Sequence, residues 1–96
     1  MSYRLIIIPL AEEDIRDAAF WYNTEKEGLG EDFLVALSEK LLLVEQNHHQ
    51  YPIRYGTIRA VQLHRFPYLV YYPGQTVRVL AVLHAKRDPG TGGKRR

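Results

Sequence analysis

Ile58-Arg59-Ala60-Val61-Gln62-Leu63, Tyr68-Leu69-Val70-Tyr71-Tyr72 and Thr76-Val77-Arg78-Val79-Leu80-Ala81-Val82-Leu83 decide the fold. Each run is rich in β-branched, Leu and Tyr side chains and is short for a helix, so all three predict strands. Turn chemistry separates them. His64-Arg65-Phe66-Pro67 makes the first connection, and Tyr72-Pro73-Gly74-Gln75 puts Pro and Gly at the central positions of a type II turn. Connections this short make the three strands an antiparallel meander. In the last run Val77, Val79, Ala81 and Leu83 fall on one side and Leu80 and Val82 on the other. Apolar on both sides, it reads as a central strand.

Upstream, Tyr3 to Ile8 is β-branched and aromatic and ends at Pro9, which predicts a first strand. From Ala11 the period changes: Ile15, Ala18, Ala19 and Tyr22 recur at i, i+3, i+4 and i+7, with acids opposite them and in the first turn. This is a first helix, broken at Gly28-Leu29-Gly30. A second begins near Glu31 and carries Phe33, Leu34, Leu37, Leu41 and Val44 as a stripe expected to be buried against the sheet. It runs to the polar cluster Gln46-Asn47-His48-His49-Gln50. The expected fold is α+β, β-α-α-β-β-β, with a helical hairpin packed on one face of a small antiparallel sheet. Residues 1–88 form one domain, and 89–96 a flexible basic tail with nothing to bury.

Ninety-six residues with 46% hydrophobic content build one core, and the absence of cysteine rules out a disulfide framework or thiolate zinc cluster. The N-terminal apolar run is far below the roughly 18 residues of a spanning helix, so the expected setting is the cytoplasm, with no membrane contact. The net charge of +2 hides an asymmetry. Residues 1–45 hold ten acids against four bases; residues 46–96 hold one acid, Asp88, against nine bases. The acids fall on the helices and the bases on the sheet and its loops, which predicts a positive surface on the sheet for an anionic partner.

Several chemistries are excluded. Gly90-Thr91-Gly92-Gly93-Lys94 lacks the phosphate-loop spacing, and neither Ser2 nor Ser38 sits in a nucleophile elbow. His48 and His49 are adjacent, so on a helix they diverge by about 100° and share a metal poorly; they read as a polar helix end. No cofactor and no metal are expected. The informative stretch is Val82-Leu83-His84-Ala85-Lys86-Arg87-Asp88-Pro89. An imidazole beside cations at a strand end can grip a phosphate and move a proton near neutral pH, as metal-free RNA cleavage requires. Arg65 adds a second cation. The candidate catalytic set, if the chain is a nuclease, is His84, Arg65, Arg87 and Tyr72. The candidate surface for a partner or nucleic acid is Arg54, Arg59, Arg78, Lys86, Tyr68, Lys94, Arg95 and Arg96, with Tyr51, Tyr55 and Tyr71 as further stacking platforms. Between Gln46 and Arg87 there is no carboxylate. A general base must therefore be a histidine, a tyrosinate, a lysine of lowered pKa, or a carboxylate reaching over from the helices.

Ala11-Glu12-Glu13-Asp14-Ile15, Trp21-Tyr22, Gly28-Leu29-Gly30-Glu31-Asp32-Phe33, Tyr51-Pro52, Arg59, the run Arg65 to Tyr72 and the run Val79 to Pro89, in this order, resemble the RelE/ParE toxin family of bacterial type II toxin–antitoxin systems. The resemblance implies a growth-inhibiting toxin neutralised by a co-encoded antitoxin in a hetero-oligomeric complex, of the kind associated with plasmid stabilisation. It leaves three readings open: a gyrase inhibitor without hydrolytic chemistry, a ribosome-dependent mRNA interferase cutting RNA without metal, and a nontoxic antitoxin-binding member. The hairpin Leu29-Gly30-Glu31-Asp32-Phe33 and the strand Phe66 to Tyr72 are closer to the ParE side, and the missing carboxylate points the same way. The expected target is DNA gyrase.

Overall fold

The computed structural model describes residues 5–74 and 76–87, with Arg87 described in its backbone alone. In chain order the elements are β1 (Ile6–Ile7), α1 (Pro9–Glu25), α2 (Leu29–Asn47), a 3-10 turn (His48–Gln50), β2 (Ile53–Tyr55), β3 (Ile58–Gln62), β4 (Tyr68–Pro73), β5 (Arg78–Val79), β6 (Ala81–His84) and a second 3-10 turn (Ala85–Arg87). The expected order holds, with β2 added as a short partner of β3. Among the described residues, no helix is long and apolar enough to cross a membrane.

Local chemistry sets the helix ends. Pro9 opens α1, two residues earlier than the periodicity predicts, because a proline φ suits the first helical turn and its missing N–H is unpaired there in any case. Ile8 before it is extended, as proline demands. Gly28 sits at φ 88°, a left-handed conformation natural to glycine, and caps α2. Gly30 has a different reason: it lies inside α2, where an added Cβ would collide with the Ala19 carbonyl and the Asn23 side chain. Its N–H donates to Asn23 Oδ1 at 2.7 Å, so the two helices meet backbone against side chain at this point.

The strands β2, β3, β4 and β6 form an antiparallel sheet in that order, while β1 pairs with β5 in parallel, Ile6 opposite Arg78 and Ile7 opposite Val79. The last sequence run is thus flanked by β1 along its first half and by β4 along its second. It is not one regular strand. Ala81 stands opposite Tyr71, yet Leu80 also donates its N–H to the Tyr71 carbonyl at 2.8 Å, so two residues face one. This bulge shifts the side-chain phase by one residue. Val77 and Val79 consequently share the helix-facing core with Val82, and Ala81 and Leu83 lie on the opposite side, which corrects the simple alternation expected from the sequence.

The helix-facing core joins Ala11, Ala18, Ala19, Tyr22, Phe33, Leu37, Leu41 and Val44 to Val61, Leu63, Val70, Tyr72, Val79 and Val82. Tyr22, Phe33, Phe66 and Tyr68 form a ring cluster where both helices meet β4, with centroids 4.9 to 6.0 Å apart and mostly edge-to-face contacts. Leu34 leaves the stripe: it is 39% exposed, because Phe33 takes the adjacent, inward position. A smaller cluster of Ala60, Leu69, Tyr71 and Leu83 occupies the other side of the sheet.

Candidate functional site

The end of the sheet where β4 begins and β6 finishes gathers most of the candidate groups. Tyr68 and His84 are register partners, their rings 5.3 Å apart and edge-to-face. His84 Nδ1 accepts the Lys86 N–H at 3.1 Å, which leaves the proton of a neutral imidazole on Nε2. The Ala85 N–H donates to the Pro67 carbonyl at 2.7 Å, tying the turn after β6 to the loop that carries Arg65. Arg65 adopts φ 82°, a left-handed conformation rare outside glycine. That turn sends Phe66 into the ring cluster and leaves the guanidinium 5.1 Å above the Phe66 ring and 3.4 Å from Asp32.

His84 faces the helices. A half-open cleft of about 410 Å³ lies between α1 and β6, lined by Asp14, Asp17, Ala18, Trp21, Tyr68, Val82, Leu83 and His84. The α1 residues fall at i, i+3, i+4 and i+7, so a single helical face supplies them. Asp14 Oδ2 accepts the Val82 N–H at 3.0 Å, fixing the helix to the strand that borders the sheet. Carboxylates, missing between Gln46 and Arg87, therefore reach the His84 end from α1. Sequence reasoning left that route open and placed the acids on the solvent side of α1; the spacing Asp14, Asp17, Ala18, Trp21 was the available signal.

Three expectations change. Tyr72 is not a surface group: it is fully buried, its hydroxyl donates to the His48 carbonyl at 2.8 Å, and burial, reinforced by Tyr51 and partly opposed by Arg59, pushes its pKa up to about 12. Burial and the raised pKa both work against a tyrosinate base there. Arg59, expected on the partner-binding surface, lies on the helix-facing side of β3, half-buried, and donates to the Tyr51 and Gly74 carbonyls. The tyrosines are not open stacking platforms either. Tyr71 and Tyr72 are buried, and Tyr51, Tyr55 and Tyr68 are half-buried, with Tyr55 stacked 6.3 Å from Tyr71.

Among the described residues the cations do not converge. Arg65 and Lys86 belong to the His84 end, whereas Arg54 and Arg78 lie towards the opposite end, by the Tyr55–Ile58 and Arg78–Ile6 registers. With Asp14, Asp17 and Asp32 beside the first pair, the cations among the described residues do not form one positive face. The side chain of Arg87 and residues Lys94, Arg95 and Arg96 lie outside the described residues. Among the described residues no three His, Cys, Asp or Glu side chains group to hold a metal ion. His48, expected as part of a polar helix end, is buried, and burial, with His49 and Arg59 nearby, holds its pKa below the usual imidazole value.

The model of the ParE toxin of the type II toxin–antitoxin system parDE matches residues 5–89. The chain belongs to the ParE toxin family. That match spans both helices and every strand, and it agrees with the β-α-α-β-β-β order read from the sequence. A solved structure described as the chromosomal ParDE TA system from P. aeruginosa shares the fold of this ParE family member. The TM-score is 0.72 at 16% identity, with 85% of this chain and 95% of that chain covered. No curated protein matches the sequence.

Proposed function

We propose that this ParE family member is a growth-inhibiting toxin that acts by gripping a protein, DNA gyrase, rather than by cutting RNA, and that a co-encoded antitoxin neutralises it in the cytoplasm. The observation that carries this reading is the composition of the His84 cleft. A scissile phosphate approaching His84 from the helix side meets Asp14 and Asp17, and transition-state charge on a phosphorane is raised in energy by nearby carboxylates. Tyr72 is withdrawn into the core, and Arg54 and Arg78 stand at the other end of the sheet. An inhibitor needs only a contact surface, and the exposed groups serve one: Arg65, Lys86, Trp21 and Phe20.

The purified protein is expected to block supercoiling by gyrase and to leave ribosome-bound messenger RNA uncut. His84→Ala should weaken growth arrest modestly, as one lost contact would. Codon-positioned cleavage in a primer-extension assay, lost in His84→Ala, overturns this reading. Antitoxin binding is a separate measurement: calorimetric titration with the product of the adjoining reading frame should give tight binding that weakens at high salt.

A further inference from the structure

The inhibitor reading uses the cleft between α1 and β6 only as a place that repels a phosphate, and the same composition also selects what it can hold. Its helical wall carries two carboxylates, Asp14 and Asp17, and the indole of Trp21; its strand wall carries Tyr68 and His84; Ala18, a small buried residue, leaves the floor open. Asp14 is committed to the Val82 N–H. Asp17 is exposed and has no ion-pair partner among the described residues. Trp21 keeps 53% of its surface exposed, although its ring is already held edge-to-face by Tyr22 at 5.1 Å.

Carboxylate plus aromatic face selects the occupant. An anion is repelled, and a metal ion lacks a third converging ligand among the described residues. A neutral apolar group would cover a carboxylate without pairing it, which costs free energy. A planar cation satisfies both walls at once, because a guanidinium forks onto a carboxylate while its face lies on an indole. The surroundings indicate that such a cation arrives on a polypeptide. Leu10, 59% exposed, and Phe20, 72% exposed, lie on the same helix at i−7 and i+3 from Asp17, outside the cleft lining, and add exposed apolar surface to α1.

We infer that the Asp14–Asp17–Trp21–Tyr68–His84 cleft is the socket for one arginine side chain of a protein partner, seated with its guanidinium on Asp17 and Trp21 and flanked by apolar residues of the partner that rest on Leu10 and Phe20. The inference rests on the partner reading above only in naming a protein as the source. Its test uses the isolated chain and so stands apart from any result with gyrase or antitoxin.

Trp21 is the single tryptophan, so its emission reports the cleft directly. The intact protein is titrated with acetyl-arginine amide, with its neutral citrulline counterpart, and with the peptide acetyl-Ala-Leu-Arg-Leu-Ala amide. Saturable change in emission is expected for the two arginine probes and none for citrulline, with the peptide binding more tightly than the amide. Asp17→Asn, an exposed substitution that should leave the melting temperature in place, should weaken both arginine probes by about three- to tenfold. Equal responses to arginine and citrulline, or full affinity in Asp17→Asn, overturn the socket. Equal affinity for the amide and the peptide overturns the protein source and makes the site one for free guanidinium compounds.

Discussion

Tyr71 and Tyr72 are neighbours on β4, chemically identical and both buried, yet they live in different worlds. Tyr72 points towards the helices, into the large core, and its hydroxyl donates to the His48 carbonyl. Tyr71 points the other way, into the small cluster with Ala60, Leu69 and Leu83, and its buried hydroxyl has no hydrogen-bond partner among the described residues. Burial raises both pKa values, and near Tyr71 the Arg54 charge pulls in the opposite direction. A pleated strand sends adjacent side chains to opposite faces, so one step along the sequence exchanges a satisfied, helix-covered site for a less complete one. The large stabilising contacts of this fold are therefore expected on the helix-facing side, and the tolerant positions on the other.

The largest effect expected is on the hydrophobic terms of the two sides. Leu37→Ala, in the helix-facing core, should cost about 3–5 kcal/mol, and Leu83→Ala, in the smaller cluster that relaxes more easily, should cost closer to about 2 kcal/mol. Urea unfolding of both variants measures the gap. Equal losses would erase the distinction between the two sides.

The tyrosines sharpen it. Tyr72→Phe deletes a buried hydroxyl and its hydrogen bond to the His48 carbonyl, at a cost of about 1–2 kcal/mol. Tyr71→Phe removes a hydroxyl without a described partner, so its melting temperature should match the parent or rise slightly. A clear drop for Tyr71→Phe would mean that its hydroxyl is satisfied after all.

A third difference appears in acid. At His48, whose carbonyl receives Tyr72, burial, His49 and Arg59 all lower the pKa below the unfolded value of about 6.5. The unfolded chain binds this proton more readily, so the contribution is present above that value and is lost as pH falls through the folded pKa. Thermal melts from pH 7.5 down to pH 5 should show falling stability, with a shallower slope in His48→Gln. An unchanged slope in that variant would assign the acid sensitivity to other groups. The smallest effect belongs to Leu34→Ala, expected within about 0.5 kcal/mol of the parent because Leu34 stands outside the helix-facing core.

Much of this was legible in the sequence because it is local. The spacing of Ile15, Ala18, Ala19 and Tyr22, and of Phe33, Leu37, Leu41 and Val44, names the buried stripes of both helices, since a helix repeats every 3.6 residues whatever it packs against. The turn residues place the strands, and the order of elements gives the α+β class and the family resemblance. The site was legible only in pieces. His84 and Arg65 stand out as residue types, but Asp14, Asp17 and Trp21 look like the solvent side of α1 until the strand they face is known.

The sequence by itself determined both helices, the main strands, their order and most of the residues each helix must bury, because propensity, periodicity and turn chemistry act over a few neighbours; β2, the break in the last strand and the exposure of Leu34 came only with the structure. Only the tertiary structure decided the pairings across the chain. It placed two α1 carboxylates beside His84, took Tyr72 and Arg59 inward, and used a bulge at Leu80 to hand the last strand from β1 to β4. These outcomes depend on contacts between residues far apart in sequence, as between Asp14 and Val82. No local pattern encodes which face of one element meets which edge of another.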